Sequence, residues 1–286
     1  MNEQDKDRKM MSTVDQSLSD LQFGNDSDNE GSKDRLFVNA LARGLEMLRC
    51  FTPEVRDLGK QELARRTGLP KATVFRLAHT LTQLGYLKHS KETGKYQLAS
   101  GVLSFGHSYL NNMSILQIAR PYMQELADQT HSAVYLAVRD RLNMVFLEAC
   151  KDPNVTFTQD LQVGSRVPLG TTSLGRALLC SLPEEERSYL KGHLRRQNEM
   201  DWPKIEIGIE RALKDYERWG FCFSIGDWRQ DINAVAVAIG PISGPGMLSL
   251  TCSGPAFQLR QHMLEDDIGP RLLHTSRNIE SKLIQI

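Results

Sequence analysis

Apolar residues recur at helical spacing in three short segments near the start of the chain. The first predicted helix, residues 36–51, carries a one-sided apolar stripe formed by Val38, Leu41, Leu45 and Leu48. Pro53 follows and ends this helix. A second, short helix is predicted over residues 60–68, with Leu63 and Ala64 facing inward and Gly68 near its C-terminus.

The third predicted helix, residues 70–85, follows after a tight turn and starts with Pro70 at its first position. Its core-facing residues at i, i+3, i+4 and i+7 are Val74, Leu77, Ala78 and Leu81. The opposite face has no large aliphatic side chain and consists of Ala72, Thr73, Arg76, His79, Thr80 and Gln83. Hydroxyl, amide, imidazole and guanidinium groups are those that hydrogen-bond base edges and phosphates in a major groove.

A short basic hairpin is predicted directly after the third helix, over residues 86–98. Thr93 and Gly94 supply its turn, and Lys88, Lys91 and Lys95 decorate it. Lys71 lies at the N-terminus of the third helix, where free N–H groups favour a phosphate. The alternative is an ordinary three-helix domain with a solvated charged face, but the order of the elements favours a winged helix-turn-helix, with the hairpin placed on backbone phosphate.

The candidate DNA contacts share one property, their place on the second and third helices or on the hairpin; they are Lys60, Lys71, Ala72, Thr73, Phe75, Arg76, His79, Thr80, Lys91 and Lys95.

The rest of the chain alternates between strand-like and helix-like segments. Apolar segments dense in Val, Leu, Phe and Ala predict strands over residues 133–140, 143–150, 221–227, 232–242 and 247–253. Amphipathic segments predict helices over residues 99–112, 116–130, 171–180, 204–220 and 255–283. Strands flanked by helices predict an α+β sheet sandwich for this part.

Charge is distributed unevenly along the 286 residues, although the formal net charge is zero. Residues 1–35 hold five basic and nine acidic side chains, a net of −4. Residues 36–98 hold eleven basic and five acidic, a net of +6, and residues 99–286 hold 19 and 21, a net of −2. A chance cluster of surface charge is the alternative, but the pattern is typical of a basic binding unit on a near-neutral carrier.

Composition excludes several classes of protein. Hydrophobic residues at 40% are enough for a core, and no apolar run reaches the roughly 18 residues of a membrane span. Residues 1–35 are polar and lack apolar periodicity, which predicts a disordered acidic tail without a signal peptide. Five widely spaced cysteines form neither a zinc pattern nor a disulfide framework, so we expect a cytoplasmic protein without a metal site.

The motifs of both halves resemble one known family. The stretch LARGLEMLRCF…LGKQELARRTGLPKATVFRLAHTLTQLGYL…GKYQL is similar to the DNA-binding half of the IclR family of bacterial transcriptional regulators. Further on, VGSRVPLGTTSLGRALL, SIGDWRQDINAVAVAI and LSLTCSGP resemble the effector-binding half of that family, in the same order.

This resemblance covers most of the chain from about residue 36 and implies four segments. They are a disordered tail (1–35), a winged helix-turn-helix domain (36–98), a linker helix (99–115) and a GAF-like effector-binding and oligomerisation domain (116–286). The implied protein is a homodimer or homotetramer that binds double-stranded operator DNA and a small-molecule effector, an organic or aromatic acid, without touching a membrane.

A pocket in such a fold is expected against the concave face of the sheet, under the helix near Thr172. The candidate effector contacts, placed by the three matched motifs, are Leu169, Thr172, Leu174, Gly175, Ser224, Asp227, Ala234, Thr251 and Ser253. Each has a structural alternative, such as a helix cap for Thr172 or a turn for Asp227. Ser224 and Ala234 stand where relatives that bind small carboxylates tend to have polar or thiol groups, which favours a larger or more apolar effector. Backbone N–H groups beside Gly175 remain available for a carboxylate.

An enzyme is the alternative from another class. The chain has no GxSxG, HExxH, Walker-type loop or strand-linked GxGxxG, and its seven histidines are scattered. Cys222 is a thiol near the expected pocket, but a strand cysteine is more often inert packing. We therefore expect no catalytic residue and no cofactor. A purely structural DNA-associated protein is disfavoured because it needs no sensor-like domain.

Overall fold

The computed structural model describes residues 36–155, 161–242 and 246–284. The chain forms two compact units that divide between Asn111 and Asn112, inside the segment predicted as a linker helix. The predicted disordered tail lies outside the described residues. No helix of the described part combines the length and the apolar character that a membrane crossing requires.

The N-terminal unit contains four helices and a two-stranded antiparallel sheet. Its elements are α1 Asn39–Arg49, α2 Lys60–Thr67, α3 Lys71–Gln83, β1 Leu87–His89, β2 Tyr96–Leu98 and α4 Gly101–Asn111. The glycine turn is confirmed, since Gly68 caps α2 at a φ of 66° that few other residues adopt. Pro70 is the N-cap of α3 and not, as predicted, its first helical residue.

The core of this unit is formed by the inner faces of α1, α2 and α3 and by the hairpin. Met47 of α1, Leu63 of α2 and Val74 of α3 are fully buried in it. Leu58 adds a bridge to the hairpin, because its N–H and C=O both pair with Tyr96. These contacts fix the hairpin against α3, as a winged helix-turn-helix requires.

Of the apolar stripe predicted on α1, only Leu48 packs against this core. Val38, Leu41 and Leu45 are exposed, and α1 instead packs through Gly44 and Met47. Periodicity identified the helix correctly but does not say which partner its apolar face has.

The C-terminal unit consists of a six-stranded antiparallel sheet with helices on both faces. Its elements are α5 Ser114–Thr130, β3 Ala133–Asp140, β4 Asn143–Lys151, β5 Arg166–Pro168, α6 Ser173–Ser181, α7 Glu184–Gln197, α8 Trp202–Trp219, β6 Cys222–Ile225, β7 Ile232–Ile242, β8 Gly246–Pro255 and a final helix, α9, that comprises Gln261–Met263, a π-helical turn Leu264–Ile268 and Gly269–Ile284.

The curled sheet has the strand order β5-β4-β3-β8-β7-β6. One face packs on α6, α7 and α8 through a core that includes Tyr135, Phe146 and Leu178. Helices α5 and α9 pack on the other side of the sheet. This arrangement confirms the predicted α+β fold class.

Four features of this unit and of the segment before it differ from the sequence prediction. Helix α7 and strand β5 were not predicted. The last helix begins at Gln261 and not at Pro255, because Arg260 adopts an extended backbone that interrupts the helical turn before it. The predicted linker segment is not one helix, since α4 ends at Asn111 and α5 begins at Ser114.

Candidate DNA interface and effector cavity

The outward face of α3 is a polar, cationic surface. Lys71, Ala72, Arg76, His79 and Thr80 are exposed, as the predicted helical phase requires. Within the described part of the chain, no carboxylate pairs with the ammonium of Lys71 or the guanidinium of Arg76. Both cations are therefore available to an external anion.

The remaining candidates on the helices are held by local contacts. Phe75 is half exposed, and the Nζ of Lys60 lies 4.4 Å from its ring centroid, a cation–π contact between α2 and α3. Thr73 is partly buried, and the hydroxyl of Thr80 donates to the carbonyl of Arg76 at 3.0 Å. Thr73 therefore has less reach to a partner than the sequence pattern suggested.

The hairpin carries its lysines at the tip. Gly94 turns the chain at a φ of 65°, and Lys91 and Lys95 on either side are exposed. No ion pair to either lysine forms among the described residues. An exposed basic hairpin tip of this kind suits contact with a phosphate backbone.

Two other basic residues of α2 share one carboxylate. The carboxylate of Glu62 accepts hydrogen bonds from Arg65 at 2.8 Å and from Arg66 at 2.7 Å. The bond from Arg65, helped by Arg66 and opposed by partial burial, lowers the pKa of Glu62 from 4.5 to about 2. Glu62 thus remains charged at neutral pH and reduces the basic surface that α2 contributes.

A cavity of about 640 Å³, part of it open to solvent, lies in the C-terminal unit between the start of α6 and the sheet. The lining combines aromatic and aliphatic side chains with five serine and threonine hydroxyls; it consists of Tyr135, Phe146, Leu161, Val167, Thr172, Ser173, Leu174, Ser224, Trp228, Ile232, Ala234, Thr251, Ser253, Gly254 and Pro255. No Asp, Glu, Lys, Arg or His is among these described lining residues.

The cavity exists because one row of the sheet has only small side chains. Ala133, Ser253, Ala234 and Ser224 stand directly opposite one another across β3, β8, β7 and β6. Side chains opposite each other share one face of a sheet, so these four leave room that Leu or Phe would fill.

The predicted cap of α6 is confirmed. The hydroxyl oxygen of Thr172 accepts from the N–H of Gly175 at 3.2 Å, while its proton is donated to the carbonyl of Pro168 at 2.7 Å. The N–H groups of Ser173 and Leu174 have no hydrogen-bond partner among the described residues. They form a small donor site at the positive end of a helix dipole.

Six of the nine predicted effector contacts line this cavity, namely Thr172, Leu174, Ser224, Ala234, Thr251 and Ser253. Three do not, and each of them has contacts inside the protein; their role as effector contacts stays a prediction. Leu169 is fully buried in the core. Gly175 lies against Leu169, where an added Cβ would be 1.9 Å from the carbonyl oxygen, and its N–H is used by the cap.

Asp227, the third of these residues, belongs to an internal ion pair. Its Oδ2 oxygen accepts hydrogen bonds from Arg176 and from Arg211, each at 2.6 Å. The side chain of Arg176 is only 1% exposed and also donates to the carbonyls of Gly170 and Phe223. Asp227 therefore compensates a buried cation.

Sequence reasoning missed the aromatic wall. Tyr135 and Phe146 stack at a centroid distance of 4.5 Å, and Trp228 follows Asp227 in the loop after β6. The alternation of β3 and β4 was a usable signal for Tyr135, because its neighbours Ala133 and Ala137 share its face of the sheet.

The thiol of Cys222 is packed and unreactive. It is fully buried and donates to the carbonyl of Ser173 at 3.7 Å. Burial, and next a hydrogen bond with Cys180, raise the pKa of Cys222 well above its usual value. A protonated thiol is a poor nucleophile.

Both units match known protein families. Residues 40–91 match the IclR helix-turn-helix domain, and residues 107–281 match the C-terminal domain of the bacterial transcriptional regulator IclR. The HTH-type transcriptional regulator TsaQ1/TsaQ2 of Comamonas testosteroni is 35% identical over 247 residues, which cover 86% of this chain and 88% of that protein.

Solved structures agree with this result. The crystal structure of an IclR family transcriptional regulator from Brucella abortus is 47% identical, with a TM-score of 0.85 over 93% of this chain and 98% of that one. An IclR homologue from Microbacterium hydrocarbonoxydans, solved in complex with 4-hydroxybenzoate, is 21% identical, with a TM-score of 0.64 over 86% of this chain and 100% of that one. The second likeness is one of fold.

A helix-turn-helix with a cationic outer face and a sheet domain with a ligand-sized cavity are thus joined in one chain whose two parts both match one family. The chain belongs to the IclR family of bacterial transcriptional regulators.

Proposed function

We propose that this regulator is a cytoplasmic homodimer or homotetramer that binds operator DNA through α3 and the hairpin. An organic or aromatic acid in the cavity changes its affinity for DNA, and neither unit catalyses a reaction. The observation that carries this proposal is the pair of exposed cations on α3, Lys71 and Arg76, which no described carboxylate neutralises. Such cations in a recognition helix supply phosphate and base contacts.

The decisive residue for this proposal is Arg76. A guanidinium that contacts a guanine edge or a phosphate contributes about 1–3 kcal/mol of specific binding. We expect Arg76→Ala to weaken binding of an operator fragment about 5- to 150-fold in a gel shift, while the thermal unfolding of the C-terminal unit stays unchanged. Arg277→Ala, an exposed arginine on α9, is the matched control and leaves DNA affinity as it was. Unchanged affinity in Arg76→Ala would show that α3 is not the recognition helix.

Exposed apolar residues of the N-terminal unit support the oligomer. Val38, Leu41 and Leu45 form the outward stripe of α1, and Leu103 and Phe105 are exposed on α4. A contiguous apolar stripe of this kind normally has a partner. We expect the double substitution Leu41→Glu and Leu45→Glu to lower the mass measured by sedimentation at micromolar concentration. Leu84→Glu, at an exposed leucine outside the stripe, is the control, and an unchanged mass in the double variant would contradict this interface.

Two features of the cavity support an aromatic acid. Tyr135, Phe146 and Trp228 provide flat apolar walls, and the free N–H groups of Ser173 and Leu174 suit a carboxylate. The Microbacterium homologue is complexed with such an acid. Ligand binding shifts DNA affinity when the two DNA-binding states differ in affinity for the ligand. Thermal-shift screening of aromatic and aliphatic acids identifies the class, because a bound ligand raises the apparent stability.

A further inference from the structure

The hydroxyl groups along the cavity have a fixed direction. Thr251 Oγ1 lies 2.8 Å from the carbonyl oxygen of Val235, which can only accept, so the proton of Thr251 is donated there. Ser173 Oγ lies 3.0 Å from Thr251 Oγ1 and must therefore be the donor of that bond. The proton of Ser173 is thus used inside the protein.

Ser224, on the neighbouring strand β6, is held in the same way. Its hydroxyl donates to the carbonyl of Thr171 at 2.9 Å. Neither Ser173 nor Ser224 accepts a hydrogen bond at its side-chain oxygen from any described residue. Both are more than nine-tenths buried and both line the cavity. Each therefore presents lone pairs, and no proton, to a ligand.

We infer that the effector carries a hydroxyl or amino group that donates a hydrogen bond to the side-chain oxygen of Ser173 or of Ser224. We call these two oxygens the acceptor pair. This inference rests on the proposed function, since it concerns the ligand of the same cavity. The cavity then offers a ligand two kinds of polar group: the backbone N–H groups of Ser173 and Leu174 donate, and the acceptor pair accepts.

A ligand group that donates is favoured because a group that only accepts would break a hydrogen bond inside the protein. A ligand group that can only accept, such as an ether oxygen or a second carboxylate, faces the lone pairs of the acceptor pair. To bind it, Ser224 or Ser173 must withdraw its proton from Thr171 or Thr251 and leave a buried oxygen with an unmet partner. A ligand O–H or N–H completes the network without breaking any bond.

The test compares hydroxybenzoates with their methyl ethers on the full chain. Isothermal titration with 2-, 3- and 4-hydroxybenzoate and the three methoxybenzoates measures the effect of one donor at each ring position. We expect the best hydroxy compound to bind about tenfold more tightly than its ether, the effect of one hydrogen bond to a buried acceptor. An ether that binds as tightly as its hydroxy partner overturns the inference and leaves the regulator function intact. Failure of all six acids to bind contradicts the aromatic class of effector itself, and the inference with it.

Variants assign the effect to the acceptor pair. Ser224→Ala should reduce the tenfold preference to about threefold or less, and Ser173→Ala should do the same if Ser224→Ala fails to fold. Ser249→Ala is the matched control, because Ser249 is a buried serine of β8 that does not line the cavity and whose hydroxyl has no hydrogen-bond partner among the described residues. A preference that survives both Ser224→Ala and Ser173→Ala overturns the assignment.

Discussion

Arg176 is a full positive charge in the interior of the C-terminal unit, and three acceptors from three segments compensate it. They are the carbonyls of Gly170 and Phe223 and the carboxylate of Asp227. Burying a cation is costly unless it is paired and hydrogen-bonded. The pair thus ties α6 to the loop that carries Trp228, an aromatic residue of the cavity wall.

Removal of this carboxylate should be strongly destabilising. We expect Asp227→Ala to cost about 3–5 kcal/mol in the free energy of unfolding of the C-terminal unit, because Arg176 stays buried without its counter-ion. Arg211→Ala removes the other partner of Asp227, but that arginine is half exposed, so its loss should cost less than about 1 kcal/mol. Urea denaturation followed by tryptophan fluorescence measures both. An equal loss of unfolding free energy in the two variants would mean that the ion pair with buried Arg176 contributes no more than the exposed one with Arg211.

The sequence identified Asp227 as a candidate but could not reveal its ion pair. Its partner Arg176 is 51 positions away along the chain, and both stand in motifs that resemble the family's effector-binding half. A motif gives the position of a residue but not its contact. Ser224, Thr251 and Ser253, which the matched motifs placed among the candidates, do line the cavity.

At the scale of elements, α6 and α8 approach each other at a glycine. A Cβ added to Gly208 would lie 2.0 Å from Nη2 and 2.7 Å from Cζ of Arg176. That guanidinium is held by its three acceptors and cannot move away without breaking bonds. The absence of a side chain at Gly208 is therefore what lets the two helices pack around the buried cation.

This contact predicts that two glycine substitutions act in opposite directions. In a helix, Gly→Ala ordinarily stabilises by up to about 1 kcal/mol. We expect Gly208→Ala to destabilise the C-terminal unit by about 1–3 kcal/mol instead, since overpacking displaces Arg176. Gly192→Ala on α7, where nothing lies within 4 Å of the added Cβ, is the control and should raise the melting temperature. A stabilised Gly208→Ala variant would show that the guanidinium of Arg176 can move aside without a loss of stability.

The strength of the sequence signal decided which elements could be predicted. Strand β7 was predicted with its observed bounds, Ile232–Ile242, because a central strand covered on both faces is a continuous apolar run. Helix α7 was missed, since its buried residues, Leu190 and Leu194, stand in a segment that is otherwise highly charged. Three-residue β5 is too short to show a period.

At the scale of the whole molecule, the net charge of zero is the sum of a basic segment and an acidic remainder. The segment 36–98 holds a net charge of +6, while the remainder is acidic. The structure places several of those cations on the exposed face of α3 and on the hairpin. Cations of this kind displace counter-ions from the DNA phosphates when the protein binds. Added salt opposes this displacement and therefore lowers the affinity for DNA.

DNA affinity should therefore fall as salt rises, and each phosphate-contacting lysine should contribute to the slope. For the full chain, a plot of the logarithm of the association constant against that of salt concentration should be linear with a negative slope. We expect Lys95→Ala to make the slope shallower by about 1 and to weaken operator and unrelated DNA alike. Lys214→Ala, an exposed lysine on α8, is the control and should leave the slope unchanged. Fluorescence anisotropy at four or more salt concentrations gives the slopes. An equal change of slope in both variants would mean that only the net charge of the protein matters. A change confined to the Lys95 variant would locate a phosphate contact on the hairpin, where Lys95 is exposed beside Gly94.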